Sequence, residues 1–120
     1  MSKILIVDDE VKATELLKRF LEVKGYDVIT SNSGEDALEK VKNEKPVVMI
    51  LDLRMPEMHG LEVLKKSKEI SPETKVIIHT AAGDIDAAID AIRLSASDFI
   101  LKSCNLDELH WRVIRCIENF

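Results

Sequence analysis

Ile4-Leu5-Ile6-Val7 runs directly into Asp8-Asp9, and Val47-Val48-Met49-Ile50-Leu51 runs directly into Asp52. Both are short, continuous apolar runs of the kind that form strands buried on both faces. An acidic residue after such a strand stands where the sheet stops and a loop begins, the edge along which open α/β proteins build their sites. If the two strands are parallel neighbours, the three carboxylates crowd one crevice. Their repulsion raises their proton affinity unless a cation lies between them, so the pattern points first to a metal site.

Working outward, strand-like and helix-like periods alternate along the whole chain. Lys3 to Asp8 is the first strand, and Val11 to Lys24 then carries Ala13, Leu16, Leu17, Phe20 and Leu21 at helical spacing until Gly25 stops it. Tyr26 to Ser31 reads as strand two. Ser33 caps a second helix carrying Ala37, Leu38 and Val41, with Asp36 three residues on, and Pro46 ends it. Val47 to Asp52 is strand three, Leu61, Val63 and Leu64 mark helix three, and Lys75 to Thr80 is strand four. Ile85, Ala88, Ile89 and Ile92 form the stripe of helix four, Asp98 to Leu101 is strand five, and Asn105 with Glu108 caps the last helix. Five βα units predict one domain over residues 1–120, a mostly parallel sheet with helices on both faces. Both a stand-alone domain and a piece of a longer protein fit.

Bulk composition narrows the function. The 120 residues are 46% hydrophobic and 32% charged, those of an ordinary globular domain. A net charge of -5 without clustered Lys and Arg argues against nucleic acid. No apolar stretch is long enough to cross a bilayer and no signal-peptide core follows the start, so the expected location is cytoplasmic. Cys104 and Cys116 form no CxxC and have no suitably spaced His, so two reduced thiols are expected.

The polar candidates gather at one end of the predicted sheet: Asp8 and Asp9 after strand one, Asp52 after strand three, Thr80 closing strand four and Lys102 after strand five. Singly, each has a plain reading, since an Asp after a strand is often a turn former and a Lys is usually a solvated charge. Together, Asp8-Asp9, Asp52-Leu53-Arg54-Met55-Pro56 with Gly60, Thr80-Ala81 and Asp98-Phe99-Ile100-Leu101-Lys102 resemble a response-regulator receiver domain of the CheY-like type. The likeness covers essentially the whole chain. It implies a doubly wound five-stranded parallel sheet of order 2-1-3-4-5, the flavodoxin-like (βα)5 arrangement.

By that resemblance Asp52 is a phosphoacceptor that takes a phosphoryl group from a histidine of a sensor kinase or phosphotransfer protein. Phosphoryl transfer needs in-line positioning and neutralised charge. The resemblance implies one Mg²⁺, held by Asp8, Asp9, Asp52 and the backbone carbonyl of Arg54, with Asp8 acting directly or through water. It implies that Lys102, the Thr80 hydroxyl and the Ala81 N–H take phosphoryl oxygens, and that Phe99 turns inward as Thr80 moves. Phe99, having no hydroxyl, is held there by packing alone.

Ser103 stands where the family usually has a proline, often in a cis bond. A non-proline cis bond costs about 2.5 to 4 kcal/mol against about 0.5 to 1 for proline, so a trans Lys102-Ser103 bond is expected, with a loop shift that threatens the placement of Lys102. Ser95 replaces a common glycine, and His59 replaces an acidic or amide residue and is read as an exposed loop histidine. His79 is expected to be a core or half-buried histidine, not a ligand, on the sheet face opposite Thr80. On the last helix Leu106, Leu109, Val113, Cys116, Ile117 and Phe120 share a face, with Trp111 and Ile114 well off it. Trp111 and Ile114 therefore suggest a partner or homodimer surface formed by helix four, strand five and helix five, while a tryptophan lying along its own helix is an equally weighted reading. The leading expectation is a phosphorylatable switch that is not a turnover enzyme. A degenerate interaction module that never takes phosphate is the alternative, and an aspartyl phosphatase is disfavoured because Arg54 replaces the second carboxylate it would want.

Overall fold

The computed structural model describes residues 2–55 and 58–118; Pro56 of the site motif and Phe120 of the last helix lie outside them. The elements are β1 (Lys3–Val7), α1 (Val11–Val23), β2 (Asp27–Ser31), α2 (Gly34–Glu44), β3 (Val48–Leu51), α3 (Gly60–Ile70), β4 (Lys75–Thr80), α4 (Ile85–Arg93), β5 (Asp98–Leu101) and α5 (Leu106–Glu118), with a 3-10 turn, Ala82–Asp84, before α4. The five strands are all parallel in the order β2-β1-β3-β4-β5, as the resemblance implies.

Local signals act where the residues predict. Gly25 adopts φ 97 after α1, a left-handed turn that a side chain disfavours. The Ser33 hydroxyl accepts from the Asp36 N–H at 3.2 Å to start α2, and Asn105 Oδ1 accepts from the Glu108 N–H at 2.8 Å to start α5. Strand alternation splits the core in two. Leu5, Val7, Met49, Leu51, Val76 and Ile78 pack under α2, α3 and α4; Ile4, Ile6, Val48, Ile50, Ile77 and Ile100 pack under α1 and α5.

Two helical stripes differ from expectation. On α1, Leu17 and Leu21 are buried but Leu16 is exposed. On α4 the fully buried residues are Ala88 and Ala91, while Ile85, Ile89 and Ile92 are 39%, 43% and 41% exposed. At about 100° per residue the three isoleucines point roughly a quarter-turn away from the two alanines. Small residues let α4 lie close to the sheet, and its bulkier apolar face is left outward.

The register brings the acidic ends together. Val7 is opposite both Leu51 and Ser31, so the residues following β1 and β3 emerge side by side. The Asp52 N–H donates to the Val7 carbonyl at 2.9 Å, and the Lys102 N–H to the Thr80 carbonyl at 2.7 Å. These bonds carry the sheet pairing one residue into the loops and fix where the side chains begin.

Candidate functional site

Asp8, Asp9 and Asp52 each offer a carboxylate oxygen within 4.8 Å of the others. Asp8 and Asp52 are buried and Asp9 is exposed. Asp8 is held from several sides: Oδ1 accepts from the Glu10 N–H at 3.0 Å, Oδ2 meets the Lys102 ammonium at 3.0 Å, and the Asn32 amide donates to its backbone carbonyl at 2.8 Å. Asp52 Oδ1 accepts from the Arg54 N–H at 3.2 Å. Three hard oxygen donors converging from two loops are a donor set that suits a small divalent cation.

Burial pushes the Asp52 carboxyl above the ordinary carboxylate range, and the neighbouring charge of Asp8 adds to this. The Arg54 N–H and Lys102 pull the other way without reversing it. Lys102 Nζ lies 3.3 Å from Asp52 Oδ2. Burial disfavours its charge, but bonds and charges from Asp8 and Asp52 outweigh that and raise its proton affinity. No cis peptide bond occurs among the described residues, so Lys102-Ser103 is trans as expected. The feared displacement of Lys102 does not follow, because its own N–H is pinned to β4.

Thr80 is fully buried at the end of β4, and its hydroxyl has only a long 3.5 Å contact with the Ala81 carbonyl, which leaves it uncommitted. Ala81 is exposed beside it, and Phe99 is half-buried against the α4-side core. His79 lies half-buried on the opposite face, lining a cavity of about 200 Å³ with Leu17, Lys102 and Leu109. His59 is exposed and its Nδ1 accepts from the Leu61 N–H at the start of α3. Cys104 and Cys116 are free thiols. Trp111 is exposed and Ile114 half-buried, both off the buried face of α5.

Two arrangements at the site escape sequence reading. One is the double pairing of Lys102, whose nearer carboxylate is Asp8 and not Asp52. The other is an ion pair between Arg54 Nη2 and Asp84 Oδ1 at 2.6 Å. Asn32 carried a usable signal, being a polar residue after β2 at the same sheet edge.

Comparison with known proteins identifies the family. Residues 4–114 match the response regulator receiver domain family. The regulatory protein AtoC of Escherichia coli is 35% identical over 118 residues, covering 98% of this chain and 26% of that protein. The transcriptional regulatory protein CpxR homolog of Haemophilus influenzae is 42% identical over 114 residues, covering 94% of this chain and 49% of that protein. The chain therefore spans between about a quarter and a half of the length of these curated relatives. Among solved structures, the signal receiver domain of a LuxO repressor protein from Vibrio parahaemolyticus superposes with a TM-score of 0.90 at 33% identity, over 98% of this chain and 90% of that one. A CheY-like response regulator receiver domain protein from Methanospirillum hungatei gives 0.93 at 27% identity, over 98% and 94%. The chain belongs to the response regulator receiver domain family.

Proposed function

We propose that this receiver domain is a phosphoacceptor switch in which Asp52 takes a phosphoryl group from a phosphohistidine of a sensor kinase or phosphotransfer protein. The observation that carries the reading is one buried carboxylate, Asp52, clustered with Asp8 and Asp9, with the Lys102 ammonium 3.3 Å from it and 3.0 Å from Asp8. A carboxylate oxygen of Asp52 forms the new O–P bond while the P–N bond of the donor breaks and its electron pair leaves with the imidazole. An Mg²⁺ held by Asp8, Asp9, Asp52 and the Arg54 carbonyl would neutralise charge spreading over the phosphoryl oxygens. Burial of Asp52 keeps water away, and Lys102 stands ready to pass from carboxylate to phosphoryl oxygen.

Thr80 and Ala81 supply the remaining donors, a hydroxyl with no strong competing bond and the backbone N–H of an exposed residue. Movement of Thr80 vacates space that half-buried Phe99 enters, which biases α4, β5 and α5 between two packings. The apolar face of α4 and the exposed Trp111 support a homodimer or partner contact there. The chain acts in the cytoplasm as a switch, not a turnover enzyme, and nucleic acid is not its direct ligand. The alternative of a module indifferent to phosphate depended on loss of Lys102 from the site, and the 3.3 Å separation speaks against it.

Incubation with Mg²⁺ and acetyl phosphate, followed by intact mass, tests the reading. The expected result is a gain of one phosphoryl group in the wild type and none in Asp52→Asn. A wild-type protein that gains nothing overturns it.

A further inference from the structure

Arg54, two residues after Asp52, and Asp84, at the start of α4, are tied by one ion pair. Arg54 Nη2 meets Asp84 Oδ1 at 2.6 Å, with side chains 77% and 16% exposed respectively. Each partner is also joined to the site through its backbone. The Arg54 N–H donates to Asp52 Oδ1 at 3.2 Å, and the Asp84 N–H donates to the Ala81 carbonyl at 3.0 Å. Asp84 immediately precedes α4, and its side chain makes no capping bond there. Its carboxylate therefore restrains the start of α4 by holding Arg54.

A phosphoryl group on Asp52 changes the competition for Arg54. It places a charge of about −1.5 to −2 with three strong acceptor oxygens two residues away. A guanidinium offers five donors in a planar fork suited to bidentate phosphate, and here it is bound to Asp84 through a single nitrogen. Its exposed stem is free to swing. We infer that Arg54 exchanges partners on phosphorylation, leaving Asp84 for the phosphoryl oxygens and releasing the Ala82–Asp84 turn and the first turn of α4. The inference rests on the phosphoacceptor reading and adds to it a residue that couples the site to α4.

Amide hydrogen exchange over residues 82–88, read before and after treatment with Mg²⁺ and acetyl phosphate and with intact mass on the same samples, tests it. Phosphorylation is expected to speed exchange in the wild type by about five-fold, the effect of losing one well-formed, part-exposed ion pair. Asp84→Asn and Arg54→Gln each break the pair beforehand, so both show the faster exchange unmodified and little further change once phosphorylated. If the protein gains the phosphoryl mass but exchange over 82–88 does not change, or if both variants respond as the wild type does, the partner exchange is wrong while the phosphoacceptor reading stands. Absence of any mass gain overturns both.

Discussion

Lys102 Nζ lies 3.0 Å from Asp8 Oδ2 although the two residues are 94 positions apart in the chain. The same ammonium reaches Asp52 at 3.3 Å, so one cation balances two buried acids. Lys102→Met keeps most of the apolar stem and removes that balance. Breaking a fully buried pair costs about 3–5 kcal/mol, but this side chain is 33% exposed and partly screened. The expected loss is about 1–2 kcal/mol at pH 7 in urea unfolding, together with loss of phosphoryl gain by intact mass. Unchanged stability would show that the ammonium contributes only to chemistry.

Asp52→Asn is expected to stabilise the protein. Burial, and then Asp8, raise the folded-state proton affinity of Asp52 above the ordinary 3.8, so the folded chain binds a proton more readily than the unfolded chain does. Stability from this group therefore falls as pH rises from the unfolded value through the raised folded one, and the penalty is fully present above it. The variant should show a higher urea midpoint at pH 7 with an unchanged slope, and the advantage should vanish below about pH 4. A lower midpoint at pH 7 would mean that the pairing with Lys102 outweighs burial.

The acidic edge is legible in the sequence because continuous apolar runs fix β1 and β3, and parallel pairing then leaves Asp8 and Asp52 little freedom in where they emerge. The pairing of Lys102 with Asp8 is not legible, since a flexible four-carbon stem can reach either acid and the choice depends on atomic placement. Periodicity finds an apolar face on α4 but cannot say that Ala88 and Ala91 are the buried side, because alanine contributes weakly to any hydrophobic stripe. The Arg54–Asp84 pair joins two loops, and loop conformation leaves no periodic trace. Ser103 invites doubt about Lys102 only while the Lys102–Thr80 backbone bond is unknown.

His79 gives the protein a pH-dependent stability. Burial chiefly, then the nearby charge of Lys102, lower its proton affinity from 6.5 to about 4, with Asp8 opposing. The unfolded chain takes up this proton first, so the contribution is fully present above about pH 6.5 and is lost as pH falls toward about 4. The loss is on the order of 2–3 kcal/mol. Urea unfolding of the wild type and His79→Leu from pH 7 to 4.5 checks it: the variant should have a clearly flatter dependence. Parallel curves would place the histidine in contact with water.

Ser95 occupies φ 79 on the surface before β5, a left-handed conformation that disfavours any residue with a Cβ. Its N–H donates to the Ile92 carbonyl at 3.1 Å, closing the turn after α4. Ser95→Gly relieves about 1–2 kcal/mol of strain and gives back about 0.5–1 kcal/mol through the freer unfolded chain. A net gain of about 0.5–1 kcal/mol in urea unfolding is expected. A loss would locate an unseen role for the hydroxyl.

Ile85, Ile89 and Ile92 on α4 and Trp111 on α5 stand outward, with Trp111 55% exposed, and β5 lies between the two helices. If the phosphorylated protein self-associates through this surface, large side chains there carry a disproportionate share of the binding energy. Ile89→Lys places a charge in the apolar patch, and Trp111→Ala removes its largest contact area; as surface changes, each should alter stability by less than about 0.5 kcal/mol. Sedimentation with beryllofluoride standing in for the phosphoryl group is expected to show a wild-type dimer whose Kd rises at least about ten-fold in either variant. A wild-type dimer that both variants form equally well would move the interface to another face, and a wild type that stays monomeric would reserve this one for a different protein.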